Sequence, residues 1–380
     1  MNPHFAQNVG LSQKNLKNHI FRLTVLMLCR ILMIRNIISL KQKGIESKML
    51  NKYKNNPILS PNSEYRYESV GVLNPGAFFY DGKVQLLYRA AGEAPDYKIC
   101  VCLATSSDGF NFERQKDSNP VLFPTEGTYD GGCIEDARAT EIEGIYYVTY
   151  ACRPYPPGPY WLPGGLRGAP KDAPAKFAKN LTISALARTM DFIKYEKIGP
   201  MVGGDIDDRD VILFPDKFNG KYIILRRPFE WKGAGFPSDK PSIWLSYSKN
   251  LLNWNEHKFL ASPKFTWEIK KIGGGAPPIK TEIGWFCIYH GVDAQGIYRA
   301  GLMMLDLKNP EKIIARYPDP ILEPETDFEK NGIFPNVVFP TGNVIIGDRL
   351  FVYYGGADKV CCVATANFES LVDELMKHSI

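Results

Sequence analysis

Two groups of residues in this sequence could do chemistry together. The first is Glu135-Asp136-Ala137-Arg138, set between the pair Gly131-Gly132 and a run that reads as a strand. The second is a scattered set of cations: Arg209 between Asp208 and Asp210, Arg226 and Arg227 ending Ile-Ile-Leu-Arg-Arg-Pro, Lys271 before a glycine triplet, and His290 ending Phe-Cys-Ile-Tyr-His. An Asp flanked by Glu and Arg is either an ion-pair partner on a turn or a general acid, and residue type does not choose between them. Splitting a glycosidic bond with water takes a carboxylic acid for the leaving oxygen and a second carboxylate for the water. Splitting it with phosphate replaces the second carboxylate by cations and donors that hold a dianion beside the sugar.

The cations carry their own constraint. An Arg closing an apolar strand is costly to bury without an anionic partner. Strand side chains alternate, so only one of Arg226 and Arg227 can point to a given side. For Arg227 that partner is either phosphate or an internal acid, Asp208 or Asp210. The same alternation predicts that Glu135 faces away from whatever Asp136 faces, leaving a site with one acid.

The elements that must position these groups recur. From Met49 onward, short β-rich runs are punctuated by turns such as Asp81-Gly82, Glu143-Gly144, Asn219-Gly220 and Gly347-Asp348. Such dipeptides between apolar runs signal hairpins. Taking Asn74, Glu135, Arg209, Ala276 and Asn336 as equivalent openings, the units are spaced 61, 74, 67 and 60 residues apart. Units of that size, each a meander of strands, predict an all-β fold, a five-bladed β-propeller, with a short C-terminal helix over Phe368–Met376. A β-sandwich would show turns at closer spacing without this longer recurrence. In a propeller the openings converge on one mouth of the central channel, which would bring Asp136 and the cations into one site.

Composition narrows the class. The chain has 380 residues and a net charge of +5, spread evenly, with no basic tail for nucleic acid. Its 20 Tyr, 21 Phe and 6 Trp suit packed sheets or a carbohydrate-facing surface. The eight cysteines have no metal-ligand spacing and read as free thiols of a reducing, cytoplasmic compartment. No metal or organic cofactor is called for. Residues 1–48 differ from the rest: the apolar stretch 20–40 carries Arg22, Arg30 and Arg35, which disfavours a membrane span. The segment is read either as a basic amphipathic surface helix or, preferred here, as a leader outside the folded unit, so that the catalytic domain is residues 49–380 and a membrane is not an expected partner. Association into a homo-oligomer is left open.

Taken together, Asn74-Pro-Gly with Leu-Leu-Tyr-Arg89-Ala, Ile-Glu-Asp136-Ala-Arg138, Arg209-Asp-Val-Ile-Leu-Phe-Pro, Leu-Arg-Arg227-Pro, Gly-Gly-Gly-Ala-Pro-Pro, Tyr-His290-Gly and Tyr-Tyr-Gly-Gly-Ala-Asp358 resemble glycoside hydrolase family 130, the β-mannoside phosphorylases. The resemblance runs from about residue 50 to 375, in order through all five units. It implies a five-bladed propeller that cleaves β-mannosides with inorganic phosphate as co-substrate, inverting the anomeric centre to release α-mannose 1-phosphate. It implies that Asp136 is the sole catalytic acid, its proton passing through the 3-hydroxyl of the bound mannosyl unit. It further implies that Arg209, Arg227, Lys271, His290 and Tyr298 hold phosphate, and that Asn74, Arg89, Arg138 and Asp358 contact the mannosyl ring. Two other readings stand beside it: a β-mannoside hydrolase of the same fold, and a non-catalytic glycan-binding propeller. The Pro/Gly/aromatic loop 154–170 is expected to shape the acceptor site, or else to form a rigid contact between blades or protomers. Acceptor sugar and linkage are not legible.

Overall fold

The computed structural model describes residues 49–92, 99–159 and 162–380. The leader 1–48, and Tyr160 and Trp161 of the long loop, lie outside the described residues.

The expected hairpin turns form as their chemistry dictates. Asp81 and Gly82 take φ of 48° and 70°, Glu143 and Gly144 54° and 79°, and Asn219 and Gly220 50° and 74°. Two successive left-handed residues give a tight turn whose twist matches the flanking strands.

Five blades result. Blade one is Gly71–Tyr80, Lys83–Ala91, Ile99–Ser106 and a short outer strand Glu113–Arg114; blade two is Cys133–Ile142, Ile145–Arg153, Ile183–Thr189 and Tyr195–Gly203. Blade three is Asp208–Leu213, Tyr222–Pro228, Ile243–Ser248 and Glu256–Ala261. Blade four begins with an interrupted inner strand, Lys271–Gly274 and Ile279–Lys280, and continues through Gly284–Val292, Tyr298–Asp306 and Ile313–Arg316. Blade five is Val338–Ile346, Arg349–Gly356 and Val360–Asn367, and its outermost strand is Asn51–Lys52, from the beginning of the described chain. The first and last strands of the propeller therefore share one sheet.

Alternation along the strands builds the core between blades. In blade four Trp285, Cys287 and Tyr289 pack towards blade three, while Phe286 and Ile288 pack towards blade five. Five such clusters fill the five interfaces, including one that joins blade five to blade one and closes the ring. The C-terminal helix Phe368–Met376, capped by the Asn367 side chain, buries Leu371 and Leu375 against blades four and five. At the axis the inner strands touch through backbone: a Cβ on Gly76 would collide with the Ala137 carbonyl of the next blade.

A polar device that the sequence pattern hides also recurs. A buried acid just ahead of the inner strand accepts from a tyrosine on the second strand and pairs with a cation on the outermost strand. In blade one it is Glu68 with Tyr88 at 2.7 Å and Arg114 at 2.7 Å. In blade two it is Asp130 with Tyr150 at 3.3 Å and Lys197 at 2.7 Å. Blade four uses Glu268 with Tyr289 at 2.8 Å and Arg316 at 2.6 Å, and blade five uses Glu329 with Tyr354 at 2.9 Å and Lys52 at 2.7 Å. Blade three departs: Arg226 occupies the tyrosine's place, pairs with Asp208 and lies 4.7 Å from the Trp231 ring. Each set ties the mouth of a blade to its rim, which rigidifies the face that carries the site.

Candidate active site

The openings of the inner strands of blades one, two and three are each bent by one extra residue. Leu73 pairs with Arg89 but Gly76 with Leu87; Glu135 pairs with Ala151 but Arg138 with Thr149; Arg209 pairs with Arg227 but Ile212 with Leu225. The inserted residue sits left-handed, at φ 47° for Asn74, 56° for Asp136 and 55° for Asp210, and Asn336 ahead of blade five does the same at 59°. Asn and Asp tolerate this region better than most residues. A bulge re-aims side chains, and here it turns them into the channel mouth.

The result is a cavity of about 420 Å³. Of the residues expected at the site, Asn74, Arg89, Asp136 and Asp358 line one part of it, and Arg209, Arg227, Lys271, His290 and Tyr298 another. Arg138 does not line it. Its side chain is 2 % exposed, donates from Nε to the Gly275 carbonyl at 2.7 Å and from a terminal nitrogen to the Asp136 carbonyl at 2.8 Å. It supports the acid from beneath, across the axis from blade two to blade four.

Glu135 corrects the alternation argument, since it lines the cavity beside Asp136. The bulge breaks the alternation between exactly these neighbours' backbone positions, so both side chains reach the same space. The cavity consequently holds four acids, Glu135, Asp136, Asp210 and Asp358, rather than one. Two are bound to arginines on the wall: Glu135 to Arg89 at 2.7 Å and Asp210 to Arg227 at 2.7 Å. Asp136 Oδ1 accepts from Asn74 Nδ2 at 2.9 Å and from Arg89 at 3.3 Å, and its side chain is 18 % exposed. Asp358 has its carboxyl pushed up to about 6 by burial, with Arg89 opposing and Asp136 and Glu135 assisting.

On the cation side Asp210 is the hub. Burial works against its charge, but Arg227 and Arg138 hold it well below the usual carboxylate range. His290 Nε2 lies 3.9 Å from it. Burial, with Arg227 and Lys271 assisting against the pull of Asp210, brings His290 down to about 3, so the ring is neutral. Nδ1 pairs with the Gly274 carbonyl at 3.2 Å, which places the proton on Nδ1 and leaves Nε2 as an acceptor. A Cβ on Gly273 would strike both the Asp210 carboxylate and the His290 ring, so only glycine lets this hub assemble. Lys271 is brought down to about 7 by burial and by Arg227. Its ammonium lies 4.9 Å from the Tyr298 ring, and Tyr298 is pushed up to about 12 by burial and stays a donor. Arg209, 40 % exposed at the rim, is gripped at two points by Asp207, at 2.7 and 3.1 Å.

Of the arginine pair, Arg227 lines the cavity and Arg226 does not, as alternation requires; for Arg227 the internal acid is real, and it is Asp210. The cavity also includes Arg153, missed in the sequence although it ends the second strand of blade two much as Arg227 ends that of blade three. Pro157 and Leu166 bring the long loop 154–170 to the wall. Cys133, three residues before Asp136, is wholly buried, which pushes its thiol up. Among the described residues no group of His, Cys, Asp and Glu could hold a metal ion, and no helix is long and apolar enough to cross a membrane.

Comparison with known proteins places this arrangement. A family model described as β-1,4-mannooligosaccharide phosphorylase matches residues 170–377. The chain belongs to glycoside hydrolase family 130. This family of β-mannoside phosphorylases is represented among its relatives by a 1,2-β-oligomannan phosphorylase of Thermoanaerobacter sp. (strain X514), 37 % identical over 85 % of this chain and 98 % of that protein. A β-1,2-mannobiose phosphorylase of the same organism is 39 % identical over the same shares. Among solved structures, the β-1,2-mannobiose phosphorylase of Listeria innocua in complex with β-1,2-mannobiose superposes with a TM-score of 0.70 at 28 % identity, covering 86 % of this chain and 99 % of that one. The family 130 enzyme described here shares its propeller more distantly with a thermostable family-43 glycoside hydrolase, at TM-score 0.53 and 16 % identity, a likeness of fold alone.

Proposed function

We propose that this enzyme is an inverting phosphorylase that cleaves a terminal β-1,2-linked mannosyl unit with inorganic phosphate, releasing α-mannose 1-phosphate and the shortened sugar. The observation that carries the reading is the meeting of Asp136 with Arg209, Arg227, Lys271, His290 and Tyr298 in one cavity. Asn74, Arg89 and Asp358 hold the mannosyl ring, and the cations hold phosphate against its anomeric carbon. The bond from that carbon to the leaving oxygen breaks as a phosphate oxygen bonds to the opposite side, which turns β into α. The Asp136 proton goes to the leaving oxygen, by way of the sugar's 3-hydroxyl as family resemblance implies, and the proton lost by phosphate restores the acid. Neutral His290 accepts from a protonated phosphate oxygen through Nε2.

Four acids at the site reopen the hydrolytic reading, since one could activate water. Two features weigh against it: Glu135 and Asp210 are already held by Arg89 and Arg227, and the cations of the opposite wall have no role in water attack. The β-1,2 linkage is supported by relatives named for it that match nearly their whole length. The test is α-mannose 1-phosphate formation from β-1,2-mannobiose and from β-1,4-mannobiose with phosphate present. Faster turnover of the β-1,2 sugar supports the reading; faster turnover of the β-1,4 sugar overturns the linkage.

A further inference from the structure

Asp136 Oδ1 accepts from Asn74 at 2.9 Å and from Arg89 at 3.3 Å, and a general acid must carry a proton when substrate is bound. The arginine is the stronger of the two influences, because it brings a full charge into a partly desolvated site. What Arg89 does with that charge therefore decides how readily Asp136 is protonated.

Arg89 is shared. One terminal nitrogen faces Asp136 at 3.3 Å, and the other lies 2.7 Å from Glu135 Oε2, with both side chains of this closer pair less than a tenth exposed. The bulge that turns Asp136 into the cavity is also what turns Glu135 to the same side, so the two carboxylates meet one guanidinium. We propose that Glu135 is a positioning residue that draws Arg89 away from Asp136 and thereby sets the pH range in which Asp136 holds the proton it delivers. The inference rests on the reading of Asp136 as the acid.

The other charged groups around Asp136 fit this division. On its own strand Arg138 is held by the Asp136 backbone carbonyl and the Gly275 carbonyl, below the carboxyl. From blade five Asp358 adds negative charge on the same side as Glu135, and its own carboxyl responds to both. Arg209, Arg227 and Lys271, with neutral His290, stand on blades three and four, where Asp207 and Asp210 take up much of the arginine charge. Arg89 is thus the cation in direct contact with the acid, and Glu135 is the partner that restrains it. Glu135 is not a second base for water, since its contact is to Arg89.

The test is the pH dependence of kcat/KM at saturating phosphate. Glu135→Gln keeps the side chain's size and removes its charge, so the full Arg89 charge falls on Asp136 and the alkaline limb moves to lower pH, by about one unit. Arg89→Met should move the limb the opposite way, and in the double variant the limb should return towards that of Arg89→Met. An alkaline limb unmoved in both single variants, or activity lost evenly at every pH with the limb in place, would overturn the proposal. Melting curves check that Glu135→Gln folds, and Arg89→Met tests the same coupling if it does not. Failure of the underlying reading has a separate sign: Asp136→Asn would then keep wild-type turnover.

Discussion

Arg209 meets Asp207 through two contacts, Nε at 2.7 Å from one carboxylate oxygen and a terminal nitrogen at 3.1 Å from the other. Asp207 also accepts from Thr182 at 3.0 Å and faces Arg153 at 3.5 Å. A rim arginine with a flexible stem is in this way held in place, which would lower the ordering cost of binding phosphate in the proposed reaction. Asp207→Asn should raise the phosphate KM by about tenfold and leave the mannoside KM within about twofold, an effect limited by the exposure of Arg209. Initial rates over a phosphate series check this, and an equal rise in both KM values would contradict the anchoring role.

Lys271 gives a pH signature. Because burial and Arg227 bring it down to about 7, it is an ammonium below that pH and increasingly a neutral amine above it, and in the proposed role bound phosphate would draw the proton back. The phosphate KM should therefore rise with pH above about 7. The dianion itself becomes more abundant in that range, which alone would lower the KM, so the sign separates the two effects. Lys271→Arg keeps its charge and should flatten the rise; a KM that falls with pH in wild type would count against a titrating lysine.

Lys52 and Glu329 test the closure of the ring. The wholly buried Glu329 is held by Lys52, by Tyr354 and by the backbone N–H groups of Glu325 and Thr326. Lys52→Met strands a buried carboxylate on its remaining donors and should cost about 2 kcal/mol, lowering Tm by about 4 °C. Glu329 is kept below its ordinary value, with Lys52 the first of the influences that offset burial. Its stabilising contribution is thus full at neutral pH and is lost as pH falls through its folded value, so the gap between variant and wild type should narrow in acid. A constant gap from neutral to acid pH would show that the ion pair is not its source.

The ring was legible because hairpin turns and strand alternation are local signals: the five openings and the helix at Phe368–Met376 need only neighbouring residues to be recognised. The closing strand Asn51–Lys52 was not, since two residues carry no period, and its partner Thr365 lies at the far end of the chain. Nor were the acid, tyrosine and cation sets legible, because their members are spread across a whole blade or, for Lys52 and Glu329, nearly the whole chain. Alternation foresaw that Arg226 and Arg227 would face opposite sides, while the choice of Arg227 for the cavity side came from the family resemblance. For Glu135 and Asp136 alternation failed, because one left-handed residue at Asp136 cancels the rule where it mattered most. Arg138, next in the same motif, was expected at the sugar and instead lies under the acid.

Arg209→Ala separates the two halves of the site. Removing this guanidinium should raise the phosphate KM by more than tenfold with the mannoside KM within about twofold, since the hydrogen bonds of Arg209 run to Asp207 at the rim. Binding of β-1,2-mannobiose by calorimetry should match wild type. Equal weakening of sugar and phosphate would place Arg209 in the sugar site instead.

In the proposed reaction phosphate, not water, attacks the sugar. The most direct measurement is mannose release from β-1,2-mannobiose by phosphate-free enzyme, followed by addition of phosphate. Turnover should be negligible at first, begin on addition, and give α-mannose 1-phosphate equal to the sugar consumed. Free mannose formed at an unchanged rate without phosphate, two per disaccharide, would contradict the account.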